Sequence, residues 1–155
     1  MSAGRTRVAI GWDTRPYTPL LEHLHTGMRL RFRLTANPTR AISRPGQRSV
    51  RTALTTPADQ IQWLLGRAAA AGFTIPVDQR ISPAAPRVTV SATRALRFPR
   101  TTDSGARRDV HLRTATYDGL LDVVDPDALR RTLTDGIGHG KAYGCGLLTL
   151  ARDTA

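Results

Sequence analysis

One cysteine, one lysine and no long apolar run set the first limits on this chain of 155 residues. The single Cys145 excludes an internal disulfide and any zinc site built from clustered cysteines. No histidine–aspartate partnership surrounds it, so it reads as a small buried thiol rather than a nucleophile. Paired carboxylates with metal-ligand spacing are missing too. Asp118, Asp122, Asp125 and Asp127 fit turns and helix caps better. No metal and no small-molecule cofactor is therefore expected. No segment has the length of a membrane span, and no apolar core follows Arg5 and Arg7 as a secretory leader would require. The expectation is a cytoplasmic protein without a membrane partner.

What the chain does have is positive charge, +11 in net terms, carried almost wholly by arginine. Such an excess on a folded domain favours a polyanionic partner, since each neutralised phosphate releases counterions. Arginine adds a forked donor suited to phosphates and guanine edges. A genomic base bias would explain arginine over lysine, but not the excess over acids. The lone lysine stands inside Gly136-Ile137-Gly138-His139-Gly140-Lys141-Ala142-Tyr143-Gly144-Cys145-Gly146. Glycines at this density let backbone N–H groups approach an anion closely. Gly136, Gly138, His139, Gly140, Lys141 and Gly144 are thus candidate phosphate contacts. A loose connecting loop is the plainer alternative. A Walker A loop is excluded: Asp135 stands where its first glycine belongs, and Ala142 replaces the metal-binding hydroxyl. The dinucleotide fingerprint fails as well, because its third glycine would fall on Lys141 and no helix follows.

The periodicities describe one split βαβ pair. Leu30, Phe32, Leu34 and Ala36 alternate with polar residues as a strand ended by Pro38. A polar connection runs to Thr56. There Thr56-Pro57-Ala58-Asp59 opens a helix with Ile61, Leu64, Leu65 and Ala68 on its apolar side. A second strand spans about Arg87 to Phe98, with a hairpin tip at Arg100–Arg108. The return strand reaches Val124, and its change of apolar register predicts a bulge near Asp118-Gly119. Asp125-Pro126-Asp127 starts a second helix with Ala128, Leu129, Thr132 and Leu133 inward, ended by Gly136. A last strand covers Leu147–Ala151. The fold class is α+β, a ferredoxin-like βαββαβ domain over residues 29–155. Residues 1–28 hold a short strand at Arg7–Ile10 and a helical or looped piece at Pro19–His25, with no visible partner.

In that plan the first and third strands lie side by side. Arg31, Arg33, His111 and Arg113 are expected on the sheet face that helices leave open, making it cationic. Arginines in place of aromatics there suit backbone contact better than base stacking. Arg94, Arg97, Arg100, Arg107 and Arg108 crowd the hairpin, which could hug phosphates or simply be solvated. His139, near Lys141 and Tyr143, is the best local acid–base candidate.

Three stretches carry a family resemblance: Thr114-Ala115-Thr116-Tyr117-Asp118-Gly119-Leu120-Leu121-Asp122-Val123, then Asp125 to Leu129, then Gly136 through Gly146-Leu147-Leu148. Together with Arg31-Phe32-Arg33-Leu34-Thr35-Ala36-Asn37-Pro38-Thr39 and the helix around Gln60, Trp63, Leu64 and Leu65, the chain resembles the C-terminal portion of CasE. That family comprises the CRISPR RNA-processing endoribonucleases of type I-E systems. The resemblance implies two ferredoxin-like domains, with residues 1–28 a remnant of the first. It implies binding of a CRISPR repeat RNA hairpin through a basic hairpin and the glycine loop, with Lys141 on phosphate, and assembly with other Cascade subunits. Cleavage in the family is metal-independent, by attack of a ribose 2′-OH assisted by a histidine and a tyrosine on the first helix of the N-terminal domain. That pair matches no residue here; neither His23 nor His25 stands in the matching context. His139 occupies a position where the family pattern leads us to expect another basic residue. The expected function is repeat-RNA binding and processing. The alternatives are a non-catalytic RNA-binding or Cascade-docking module, or a structural domain with nonspecific anion contact.

Overall fold

The computed structural model describes residues 15–154. The strand expected at Arg7–Ile10 lies outside that range. A short helix, α1 (Thr18–His23), comes first. The alternation of the next segment produces β1 (Arg29–Ala36), with Leu30, Phe32, Leu34 and Ala36 buried and Arg29, Arg31 and Arg33 exposed. The polar connection that follows is itself structured: β2 (Thr39–Ile42) and β3 (Val50–Ala53) pair as a separate hairpin. After α2 (Pro57–Ala68) come three very short strands, β4 (Phe73–Thr74), β5 (Val77–Asp78) and β6 (Ala85–Pro86). Two long strands, β7 (Val88–Thr101) and β8 (Arg107–Val123), form an extended arm beyond the sheet proper. The chain then runs through α3 (Pro126–Asp135) and the glycine loop into β9 (Leu148–Arg152).

β1 pairs antiparallel with β8 on one side and β9 on the other, and β7 pairs with β8. The main strands thus lie in the order β9, β1, β8, β7, with β4 also bonded to β8. First and third strands of the βαββαβ plan are adjacent and central, as that plan requires. The helices pack on one face over Phe32, Leu34, Phe73, Tyr117, Leu121 and Leu148. Local chemistry fixes where they start. The Thr56 hydroxyl accepts from the Asp59 N–H at 3.2 Å. The Asp125 carboxylate accepts from the N–H groups of Asp127 and Ala128 at 3.0 Å. Each cap satisfies donors that have no intrahelical partner.

α3 buries Ala128, Leu129, Thr132 and Leu133, the four residues expected. α2 is rotated from expectation: Gln60 and Trp63 join Leu64 and Ala68 inside, while Ile61 and Leu65 are half-buried. The buried Gln60 side chain is held by its amide N–H, which donates to Leu54 O at 3.0 Å, and the Gln60 backbone carbonyl accepts from the Tyr117 hydroxyl; Oε1 has no partner among the described residues. The expected bulge at Asp118-Gly119 is absent. β8 continues through it, and the irregularity lies on the partner strand between Val90 and Ala92. Gly119 serves a different need: a Cβ there would stand 2.5 Å from Arg87 O, so only glycine lets this crossing close. The apolar register of β8 changes because the strand leaves the helices. Within the sheet its helix-side residues are buried, whereas in the arm Val110 and Leu112 sit opposite Phe98 and Leu96.

Candidate nucleic-acid interface

The glycine loop is tied at its neck and within itself. Gly136 N–H donates to Thr132 O at 2.8 Å, ending α3. Ile137 is buried, and its N–H donates to Gly146 O at 2.9 Å; Gly146 N–H reaches Thr35 O of β1 at 2.7 Å. A turn at Lys141–Tyr143 closes through Tyr143 and Cys145 N–H groups on Gly140 O. Those bonds account for several of the N–H groups that the sequence suggested for an anion. The loop is built rather than loose. Its floor is Trp63 of α2: a Cβ on Gly138, at φ +80°, would meet the indole at 2.8 Å. The indole stacks on Tyr117 at 6.3 Å between centroids, and the Arg67 guanidinium lies 4.2 Å from its centre. Cys145 is buried, and burial raises its thiol pKa, away from nucleophilic duty.

Three cations from three elements meet at this loop. Arg51 of β3 donates from Nη1 to His139 Nε2. A guanidinium can only donate, so this nitrogen is an acceptor and the ring is neutral with its proton on Nδ1. The His139 pKa is pushed down first by partial desolvation against the loop, then by the charges of Arg51, Arg67 and Lys141. Arg67 itself is held below the usual arginine value, first by burial and also by Arg51. Among the described residues, none of Arg51, Arg67 and Lys141 makes an ion pair with a carboxylate.

The arm comes to the same loop. The Tyr143 ring meets Phe98 edge-on at 5.0 Å, and Arg100 Nη1 donates to the Tyr143 hydroxyl at 3.3 Å. The register places Arg94, Arg100 and Arg108 on the arm face that carries Phe98, and Arg97, Arg107 and Arg113 on the other. Arg97 is bound to Asp109 through Nε at 3.0 Å and through Nη2. Arg94, Arg107 and Arg108 are exposed, and Arg113 is half-buried.

The open sheet face differs from expectation in two respects. His111 and Arg113 do not share it with Arg31 and Arg33. The pairing of Arg33 with Asp118 and of Thr35 with Thr116 places even-numbered β8 residues there, and His111 and Arg113 fall on the opposite parity. Nor is the face an uncompensated cationic surface. Arg33 binds Asp118 at 2.6 Å, Arg29 binds Asp122 at 2.7 and 2.8 Å, and Arg31 lies 3.5 Å from Asp153. A hollow of about 530 Å³ on this face is lined by Asp78, Asp118 and Asp153 as well as Arg31 and Arg87. That mixture does not suit a polyanion.

The arrangement therefore brings Gly136, Gly138, His139, Gly140, Lys141 and Gly144 together with Arg100 and sets Arg31 and Arg33 apart. Sequence reasoning missed Arg51, Arg67, Trp63 and the Phe98–Tyr143 contact. No local pattern marked Arg51: Val50-Arg51-Thr52-Ala53 has no apolar–polar alternation.

Comparisons with known proteins match this chain to one family. A family model described as CRISPR associated protein matches residues 3–152. The chain is 36% identical over 138 residues to CRISPR-associated endoribonuclease Cse3 of Thermus thermophilus, covering 88% of this chain and 61% of that protein. It is 32% identical over 139 residues to CRISPR system Cascade subunit CasE of Escherichia coli, covering 83% and 60%. The structure of CRISPR endoribonuclease Cse3 bound to a 19-nucleotide RNA superposes with a TM-score of 0.69 at 36% identity, over 83% of this chain and 58% of that one. The chain thus spans about three-fifths of the length of the curated relatives it matches. On a family match along nearly its whole length, and on the ferredoxin-like order of its strands, the chain belongs to the CRISPR-associated protein family, of the Cse3/CasE type.

Proposed function

We propose that this chain binds the hairpin of a CRISPR repeat RNA and takes part in processing the precursor transcript, in the cytoplasm and alongside other Cascade subunits. The RNA contact is assigned to residues 29–155, through the glycine loop, the β2–β3 hairpin and the arm. One observation carries the reading: Arg51, Arg67 and Lys141 converge on a single loop without a carboxylate partner among the described residues, beside an arginine-bearing arm. Uncompensated charge at one place is what a phosphate backbone releases counterions against. The relatives named as an RNA-bound endoribonuclease and as a Cascade subunit support the same reading.

Within it, residues 29–155 are assigned to holding RNA, and neither Tyr117 nor His139 is offered as the cutting group. Tyr117 is buried with its hydroxyl on Gln60 O, and burial raises its pKa. His139 Nε2 is engaged by Arg51. In the chain without RNA, neither presents an unengaged group to a ribose hydroxyl. The test is fluorescence anisotropy and gel analysis of labelled repeat hairpin with the purified chain in EDTA. Selective binding of the hairpin over a scrambled strand is expected, without cleavage. Equal affinity for both would leave only nonspecific anion contact. Cleavage would overturn the division between holding and cutting.

A further inference from the structure

We propose that Arg51, Arg67, His139 and Lys141 form one phosphate subsite in which a backbone phosphodiester displaces the Arg51–His139 hydrogen bond and is gripped between the two side chains. This rests on the reading of the chain as an RNA binder and adds how one site of it works.

Geometry carries the proposal. The four residues come from β3, α2 and the glycine loop, so the site exists only in the folded chain. Trp63 fixes two of its walls. Its indole holds the Arg67 guanidinium 4.2 Å from its centre, and Arg67 Nη1 also donates to Trp63 O at 3.3 Å. The same ring leaves no room for a side chain on Gly138, the residue before His139. A β-bridge between Asn37 and His139 fixes the histidine backbone from the strand side. Arg51 and His139 are both exposed, so solvent and ligand can reach their contact. Hydrogen-bonding a guanidinium to a neutral imidazole is a weak use of both groups. A phosphate oxygen would accept from the guanidinium more strongly, as a charge-assisted bond. It would also accept from a protonated imidazole.

The exchange has a sign. In the free chain the groups facing His139 are cations: Arg51 from the hairpin, Arg67 from the helix and Lys141 from its own loop. They disfavour the imidazolium. A bound phosphate neutralises them and adds an anion, so the imidazolium becomes favoured and a proton is taken up. Affinity for the phosphate then rises as pH falls through the window between the free and bound pKa values. The ceiling for one linked proton is about tenfold per pH unit.

The experiment measures the affinity of labelled repeat hairpin at fixed salt between about pH 5.5 and 8. The wild-type chain is expected to bind more tightly toward acid. His139→Gln keeps an acceptor for Arg51 but cannot titrate, and should flatten the profile. Arg51→Gln should weaken binding and lower the salt slope by about one. Arg108→Gln on the arm should weaken binding while leaving the pH profile intact. Identical pH profiles for wild type and His139→Gln, with binding still sensitive to Arg108→Gln, would overturn the subsite and spare the RNA reading. A second measurement stands apart from RNA: the His139 imidazole titration by NMR in chloride and in sulfate. Sulfate should raise its midpoint in the wild-type chain and not in Arg51→Gln. No shift in sulfate would overturn the subsite even if the RNA binds.

Discussion

The open sheet face and the glycine-loop side carry similar numbers of cationic side chains and differ in what those groups face. On the sheet, β1 presents Arg29, Arg31 and Arg33 to Asp122, Asp153 and Asp118. At the loop, Arg51, Arg67 and Lys141 face a neutral imidazole and an indole instead. The first arrangement closes on itself. The second leaves its charge available to something from outside. Net charge alone cannot separate them, because the same arginines count equally in a sum. Strand register decides it by putting an aspartate opposite one arginine and none opposite another.

The comparison breaks most completely if the floor of the loop is removed. Trp63→Ala deletes a buried indole that supports the loop, stacks on Tyr117 and carries Arg67. Loss of stability of about 3–5 kcal/mol is expected in denaturant unfolding. A change below about 1 kcal/mol would mean that the loop does not depend on this ring. Gly138→Ala is a gentler form of the same test. The added methyl meets the indole at 2.8 Å on a backbone at φ +80°, so both overlap and strain oppose it. A cost of about 1–3 kcal/mol is expected, together with weaker hairpin binding.

A matched pair of charge removals sharpens the contrast between the two regions. Lys141→Ala should weaken hairpin RNA binding about tenfold and lower the salt slope by about one. Arg33→Gln removes the same charge from the open face and should leave affinity within about twofold, since its partner is Asp118 rather than phosphate. Equal losses for both would erase the distinction.

The parts of the fold that depend on neighbours in sequence were legible. Asp125 caps α3, and all four inward residues of that helix follow from spacing alone. The adjacency of β1 and β8 follows from the βαββαβ order. α2 was less legible because hydrophobic spacing favours Ile61 and Leu65 over Gln60, whose buried side chain is held by its amide bond to Leu54 O. The β2–β3 hairpin left almost no signal: both its faces are largely exposed, so the two-residue period has no apolar side to mark it. The arginine–aspartate pairs on the sheet were illegible for another reason. Arg33 and Asp118 are 85 residues apart, and Arg29 and Asp122 are 93 apart, so only the register brings them together. The glycine loop was found, yet its partners Arg51 and Arg67 come from elements whose approach to it no local pattern encodes.

The smallest expected effect is on stability against pH, where the two regions should separate into different limbs. Hydrogen bonds from Arg33 and Arg29 hold the Asp118 and Asp122 carboxyls below their usual range. The folded chain therefore binds fewer protons than the unfolded one just below about pH 4, and this stability is lost as acid protonates both carboxylates. Partial desolvation and the three cations push His139 down in the same direction but from a higher starting point. Its contribution is complete above about pH 6.5 and declines below it, because the unfolded chain protonates first. A stability profile should then show a shallow loss beginning near neutrality and a second one in stronger acid. His139→Gln should remove the first and leave the second, and Asp118→Asn should reduce the second and leave the first. If His139→Gln instead changes only the acid limb, the loop histidine is not the neutral, cation-surrounded group on which the difference between the two regions depends.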